Sequence, residues 1–125
     1  MSANILLVDD NDELREFLVE VLSHENYTVA EANNGREALK LLASQSFDLV
    51  ITDILMPEME GIELVKNIKK DYPGLKLIGM TGGGELGDAD KVKRMTKNFF
   101  TCFLKKPFDT KEFLEKIKSS LNSDL

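Results

Sequence analysis

Asn4-Ile5-Leu6-Leu7-Val8-Asp9-Asp10 is a short, almost wholly apolar run that ends on two adjacent carboxylates. A strand buried on both faces reads as continuous Val, Ile and Leu rather than as alternation, and such strands belong to parallel sheets covered by helices on both sides. Working outward, the same pattern recurs. Leu49-Val50-Ile51-Thr52 ends on Asp53, a fourth run through Met80 closes on Thr81, and Cys102-Phe103-Leu104 leads into Lys105-Lys106. In an open parallel α/β sheet the carboxyl ends of the strands share one edge, so residues far apart in sequence meet there and can build a site. Acid, acid, hydroxyl and ammonium are therefore expected to face one cavity.

Five runs read as strands: Asn4–Val8, Thr28–Ala32, Leu49–Thr52, Lys76–Met80 and Thr101–Leu104. Longer amphipathic segments alternate with them, which predicts repeated β-α units. The first and third runs are the most apolar and are expected at the centre of the sheet. The first helix places Leu14, Phe17, Leu18, Val21 and Leu22 on one expected face, with Glu13, Glu16 and Glu20 elsewhere. A second helix, about Gly35–Ser44, offers Ala38, Leu41 and Leu42; a third, about Gly61–Asp71, offers Ile62, Val65 and Ile68. A fifth, about Thr110–Asn122, offers Phe113, Ile117 and Leu121 behind an Asp109/Glu112 capping box. The fourth, within Asp88–Asn98, has only a thin stripe of Val92, Met95 and Phe99 and is expected to be short or mobile. His24 falls at the end of the first helix, where the dipole favours an imidazole, and reads as a surface capping residue.

The 125 residues fit one domain, 1–125, long enough for a core without metals or disulfides. The single Cys102 lies in an apolar run and suits a buried thiol in a reducing compartment. Sixteen Lys+Arg against 22 Asp+Glu give a net charge of -6, the wrong sign for nucleic-acid binding by this chain alone. Nothing approaches the roughly 18 apolar residues of a membrane span, and no basic stretch precedes an apolar one at the start, so a soluble cytoplasmic protein is expected. The chain stops soon after the fifth helix, at Ser123-Asp124-Leu125, which suits either a lone domain or a part of a larger protein.

Crowding Asp9, Asp10 and Asp53 costs Coulomb energy that a divalent cation relieves. Oxygen-only ligands select a hard ion such as Mg²⁺, which keeps waters and shares its shell between one or two carboxylates and a phosphate oxygen. A carboxylate nucleophile, a metal, a lysine and a hydroxyl around one point are what in-line phosphoryl transfer requires.

These residues resemble the receiver domain of two-component response regulators over essentially the whole chain. The resemblance rests on Val8-Asp9-Asp10, on Asp53 followed by Met56-Pro57 and Gly61, on Met80-Thr81-Gly82, and on Phe103-Leu104-Lys105-Lys106-Pro107-Phe108. It implies a flavodoxin-like (βα)5 three-layer sandwich with strand order 2-1-3-4-5. It also implies that Asp53 accepts a phosphoryl group from a sensor histidine kinase or histidine phosphotransfer protein. Asp10 and Asp53 would bind Mg²⁺ directly with the backbone carbonyl of Leu55, and Asp9 largely through water. Thr81 and Lys106 would hold phosphoryl oxygens, Lys106 rather than Lys105 because the family's lysine directly precedes proline. Phe103 would change rotamer with Thr81. Output would pass through the surface of the fourth helix, fifth strand and fifth helix, to a downstream effector or a second copy. The Lys106-Pro107 bond is expected to be cis.

Phe99-Phe100 stand where receivers often carry Gly-Ala, and read either as internal packing or as an apolar patch for that output surface. Leu55 and Gly83 occupy the two positions that tune hydrolysis in the family, and neither can orient a water, so a long-lived phosphoryl group is expected. Gly82, Gly84 and Gly87 spell a nominal dinucleotide fingerprint, but it follows the fourth strand rather than the first and reads as a flexible loop. Two rival readings stand beside the receiver. One is a Mg²⁺ phosphohydrolase with Asp53 as nucleophile, disfavoured by Leu55 where a second acid is common. The other is an interaction domain that never meets phosphate, disfavoured by the complete set of acids, Thr81 and Lys106.

Overall fold

The computed structural model describes residues 3–54, 60–81 and 98–122. Five parallel strands, β1 (Asn4–Val8), β2 (Thr28–Ala32), β3 (Leu49–Asp53), β4 (Lys76–Thr81) and β5 (Cys102–Lys105), form one sheet in the order β2-β1-β3-β4-β5. Four described helices flank it: α1 (Asp12–His24), α2 (Gly35–Ser44), α3 (Glu60–Asp71) and α4 (Thr110–Leu121), the last being the fifth helix of the sequence reading. The expected fourth helix and the glycine-rich loop before it lie outside the described residues.

Strand periodicity sorts the core into two layers, because successive side chains leave a strand on opposite faces. Leu6, Val8, Val50 and Leu77 pack with Ala38 and Leu42 of α2 and Ile62, Val65 and Ile68 of α3. Ile5, Leu7, Leu49, Ile51, Ile78, Met80 and Leu104 pack with Leu18 and Leu22 of α1 and Phe113 and Ile117 of α4. β3 is buried along its whole length, as its apolar run requires. β4 is equally interior beyond Lys76, although Lys76 and Gly79 make its sequence read as less apolar.

Asparagines and an aspartate start α1, α2 and α4. Asn11 accepts the Leu14 N–H at 3.1 Å, Asn34 the Glu37 N–H at 2.8 Å, and Asp109 the Glu112 N–H at 2.7 Å. Each satisfies a donor that the first turn leaves without an intrahelical partner.

One expectation needs correction. Phe17 does not face the core: it is 51% exposed, while Leu18 and Leu22 are buried. Consecutive helical residues are about 100° apart, and the buried face is turned away from Phe17 toward the side that carries Arg15. Of the two readings of Phe100, internal packing is the one found: it is buried in the layer under α2 and α3. Its room comes from Gly79, where a Cβ would lie 3.0 Å from Phe100 Cε1 and 2.6 Å from Ile54 Cδ1. Phe99 is only partly buried and packs against the same layer.

Candidate functional site

Strand register brings the chemistry together. Val8 pairs with Thr52, so the next residues, Asp9 and Asp53, leave the sheet side by side. Thr81 pairs with Lys105, so Lys106 follows at the same edge, its backbone N–H donating to the Thr81 carbonyl at 2.8 Å. Carboxylate oxygens of Asp9, Asp10 and Asp53 all lie within 4.8 Å of one another. Asp9 is fully buried, Asp53 is 6% exposed and Thr81 is buried at the end of β4. Asp10 is exposed.

Lys106 closes the cluster. Its Nζ lies 2.8 Å from Asp53 Oδ2 and 3.2 Å from Asp9 Oδ2. Burial alone would lower the pKa of this ammonium, but hydrogen bonds and Coulomb attraction to Asp53 and Asp9 outweigh it and hold the value raised above 10.5. Lys105, the neighbour that sequence alone makes a rival, is exposed. The Lys106-Pro107 peptide bond is cis.

Beneath the carboxylates the β1–α1 turn is tied down. Asp9 Oδ1 accepts the Asn11 N–H at 2.9 Å, and the Asp9 N–H donates to the Ala32 carbonyl of β2 at 3.1 Å. Arg15 donates from Nη1 to the Asp9 carbonyl at 2.7 Å. Neither Asn11 nor Arg15 stands out in the sequence reading. Asn11 has the signal of an N-cap after a strand, while Arg15 carries only its spacing of three from Asp12. The Thr52 hydroxyl donates to the Asp53 carbonyl at 3.1 Å. Phe103 is partly buried, its ring 5.0 Å from that of Phe100 at 46°. Leu55 and its carbonyl lie outside the described residues, as does Gly83.

The donor set suits a small hard cation. An ion holding oxygens at about 2.1 Å spaces its ligands roughly 3 to 4 Å apart, so a cluster within 4.8 Å needs only a small inward movement of side chains. The exposed carboxylate of Asp10 leaves the cluster open on its solvent side. Among the described residues, no helix is long and apolar enough to cross a membrane.

Comparison with known proteins gives the same outline. The profile of the response regulator receiver domain matches residues 5–118. The transcriptional regulatory protein CpxR homolog of Haemophilus influenzae is 40% identical over 119 residues, covering 95% of this chain and 50% of that protein. The response regulator receiver protein CpdR of Brucella abortus is 36% identical over 120 residues, covering 94% of this chain and 95% of that one. The chain thus spans half the length of the first relative and nearly all of the second. Response regulator protein TrrA from Thermotoga maritima, crystallised in complex with Mg²⁺-BeF, superposes with a TM-score of 0.79 at 36% identity, over 95% of this chain and 98% of that one.

Proposed function

The chain belongs to the response regulator receiver domain family, and from that premise we propose that Asp53 accepts a phosphoryl group from the phosphohistidine of a sensor kinase or phosphotransfer protein. The observation that carries this is the buried Asp53 carboxylate, set among Asp9 and Asp10 and paired with Lys106 at 2.8 Å. An oxygen of Asp53 attacks phosphorus as the P–N bond breaks, its electron pair returning to the imidazole, which takes up a proton. Asp9, Asp10 and Asp53, with the backbone carbonyl of Leu55, would hold Mg²⁺, which would supply neutralisation of the charge on the phosphoryl oxygens. The acids alone would repel an incoming phosphate.

Lys106 has a second task in this reading. Its ammonium lies between Asp53 and Asp9, and from there it follows the new negative charge onto a phosphoryl oxygen. The Thr81 hydroxyl takes another oxygen. Phe103 responds to Thr81 by changing rotamer, and the change is passed to the surface formed by the expected fourth helix, β5 and α4. A downstream effector or a second copy of the chain reads that surface.

Intact mass after incubation with acetyl phosphate and Mg²⁺ tests the proposal. One phosphoryl group is expected on the wild type and none after chelation. Equal labelling of Asp53→Asn, or labelling indifferent to chelation, overturns it.

A further inference from the structure

The acidic cluster has an asymmetry in how its members are held. Asp9 is fixed by burial, by the Asn11 N–H and by Lys106. Asp53 is nearly buried and paired with Lys106. Asp10 is exposed, and no hydrogen bond or ion pair to its carboxylate is found among the described residues. The position of that carboxylate therefore depends on its backbone, and the carbonyl of the Asp9–Asp10 peptide is the group that Arg15 grips.

Arg15 makes this contact with an unusually complete set of partners. Its side chain is only 12% exposed, and its three guanidinium nitrogens go to three places: Nη1 to the Asp9 carbonyl at 2.7 Å, Nη2 to Asp12 Oδ1 at 2.7 Å, and Nε to Glu31 Oε1 at 3.1 Å. These acceptors belong to the end of β1, the first turn of α1 and β2. A planar fork with fixed donor directions can tie three elements at once, which a flexible ammonium cannot. Asp12 and Glu31 also balance the guanidinium charge, so the clamp does not leave a bare cation facing a cation site.

From this geometry we infer that Arg15 is a positioning residue: it fixes the Asp9–Asp10 peptide plane and so holds the Asp10 carboxylate toward a divalent cation shared with Asp9 and Asp53. The inference rests on the proposed Mg²⁺ site. Outer partners that orient metal ligands commonly change affinity by about ten- to a hundredfold when removed.

The sign of the effect separates positioning from simple charge. Removing a positive charge near a cation site should tighten Mg²⁺ binding by Coulomb's law; removing a clamp should weaken it. Calorimetric titration of the full chain with Mg²⁺ alone is the measurement, on wild type, Arg15→Met and Arg15→Lys, each checked for folding by circular dichroism. The expected result is a Kd raised about tenfold in Arg15→Met, with Arg15→Lys between that variant and wild type. Labelling by acetyl phosphate should need correspondingly more Mg²⁺ for half-saturation and reach the wild-type rate when saturated. Unchanged or tighter Mg²⁺ binding in a folded variant overturns the inference, as does a lowered melting temperature with unaltered affinity. If Arg15→Met does not fold, Arg15→Lys decides, because it keeps the charge and loses the fork: wild-type affinity there is a refutation. Failure of the wild type itself to bind Mg²⁺ would instead count against the proposed function.

Discussion

β3 has an aspartate at each end, and the two are used in opposite ways. At the amino end Asp48 is exposed, and its carboxylate accepts the Asn4 N–H at 2.8 Å. Near it Lys76 Nζ donates to the Leu121 carbonyl, at the end of α4, at 3.2 Å. At the carboxyl end Asp53 is nearly buried and shares Lys106 with Asp9. Acid and lysine at the amino end each satisfy a backbone group, the acid at the surface and the lysine half-buried. At the carboxyl end acid faces acid and a single ammonium holds two of them, where partial burial strengthens every Coulomb term. Volume does not make the difference: a concavity of about 710 Å³ opens beside Asp48 and Lys76. What distinguishes the site is three carboxylates gathered within 4.8 Å, two of them on the Lys106 ammonium, a concentration of negative charge that a metal would complement.

The contrast breaks most visibly through the two aspartates themselves. Asp53→Asn is expected to abolish labelling by acetyl phosphate and Mg²⁺, whereas Asp48→Asn should label like wild type in the same mass measurement. Comparable loss in both would mean that labelling depends on the integrity of the sheet and not on the carboxyl-end cluster.

A smaller effect is expected from the lysines. Lys106→Ala leaves the fully buried Asp9 and nearly buried Asp53 without their shared cation. Urea unfolding in chelator should show a loss of about 1 to 3 kcal/mol, the range for a buried polar group deprived of its partner, and added Mg²⁺ should recover part of it. Because pairing raises the Lys106 pKa, its contribution is fully present below the ordinary value of 10.5 and fades as pH rises through the folded-state value. The stability gap between wild type and Lys106→Ala should therefore narrow as pH rises through that alkaline range. Lys105→Ala should differ little from wild type throughout. Equal losses in the two variants would remove the distinction between an inward and an outward lysine.

Gly79→Ala tests the packing behind the carboxyl end. A methyl group there would press on Ile54 Cδ1 and Phe100 Cε1. A loss of about 1 to 2 kcal/mol is expected for such overpacking, and Phe100→Leu should relieve some of it in the double variant. Additive losses would show that Phe100 does not share the space of Gly79.

Much of this was legible before any coordinates. The apolar runs of β1 and β3, each ending on acid, announce buried parallel strands and the edge where Asp9, Asp10 and Asp53 meet. Only the family resemblance separates Lys106 from Lys105 in the sequence, since two adjacent lysines have no internal mark that tells which turns inward. Other features were hidden for physical reasons. Phe17 fits an apolar stripe of α1, but a stripe drawn from spacing alone has no fixed centre, and the sheet selects Leu18 and Leu22 instead. Phe100 reads equally as core or as surface patch until Gly79 on β4, distant in sequence, is seen to make its pocket. Arg15 joins three elements, and a contact of that kind has no local signature.

The smallest expected effects lie at the amino end and bear on whether it is merely structural. Asp48→Asn keeps an oxygen that can accept the Asn4 N–H, so only the charge on an exposed hydrogen bond is lost. Its stability should stay within about 0.5 kcal/mol of wild type, as for most surface substitutions. Asp48→Ala removes the acceptor as well, yet water can replace it at this exposed position, and about 0.5 to 1.5 kcal/mol is the ceiling for a hydrogen bond of this kind. Chemical denaturation of the two variants gives these numbers directly, and Mg²⁺ titration should leave each with wild-type affinity. A loss above about 2 kcal/mol, beyond what one such hydrogen bond supplies, or a change in Mg²⁺ affinity, would show that the two ends of β3 communicate. The contrast between a capping end and a reactive end would then have to give way to a single coupled strand.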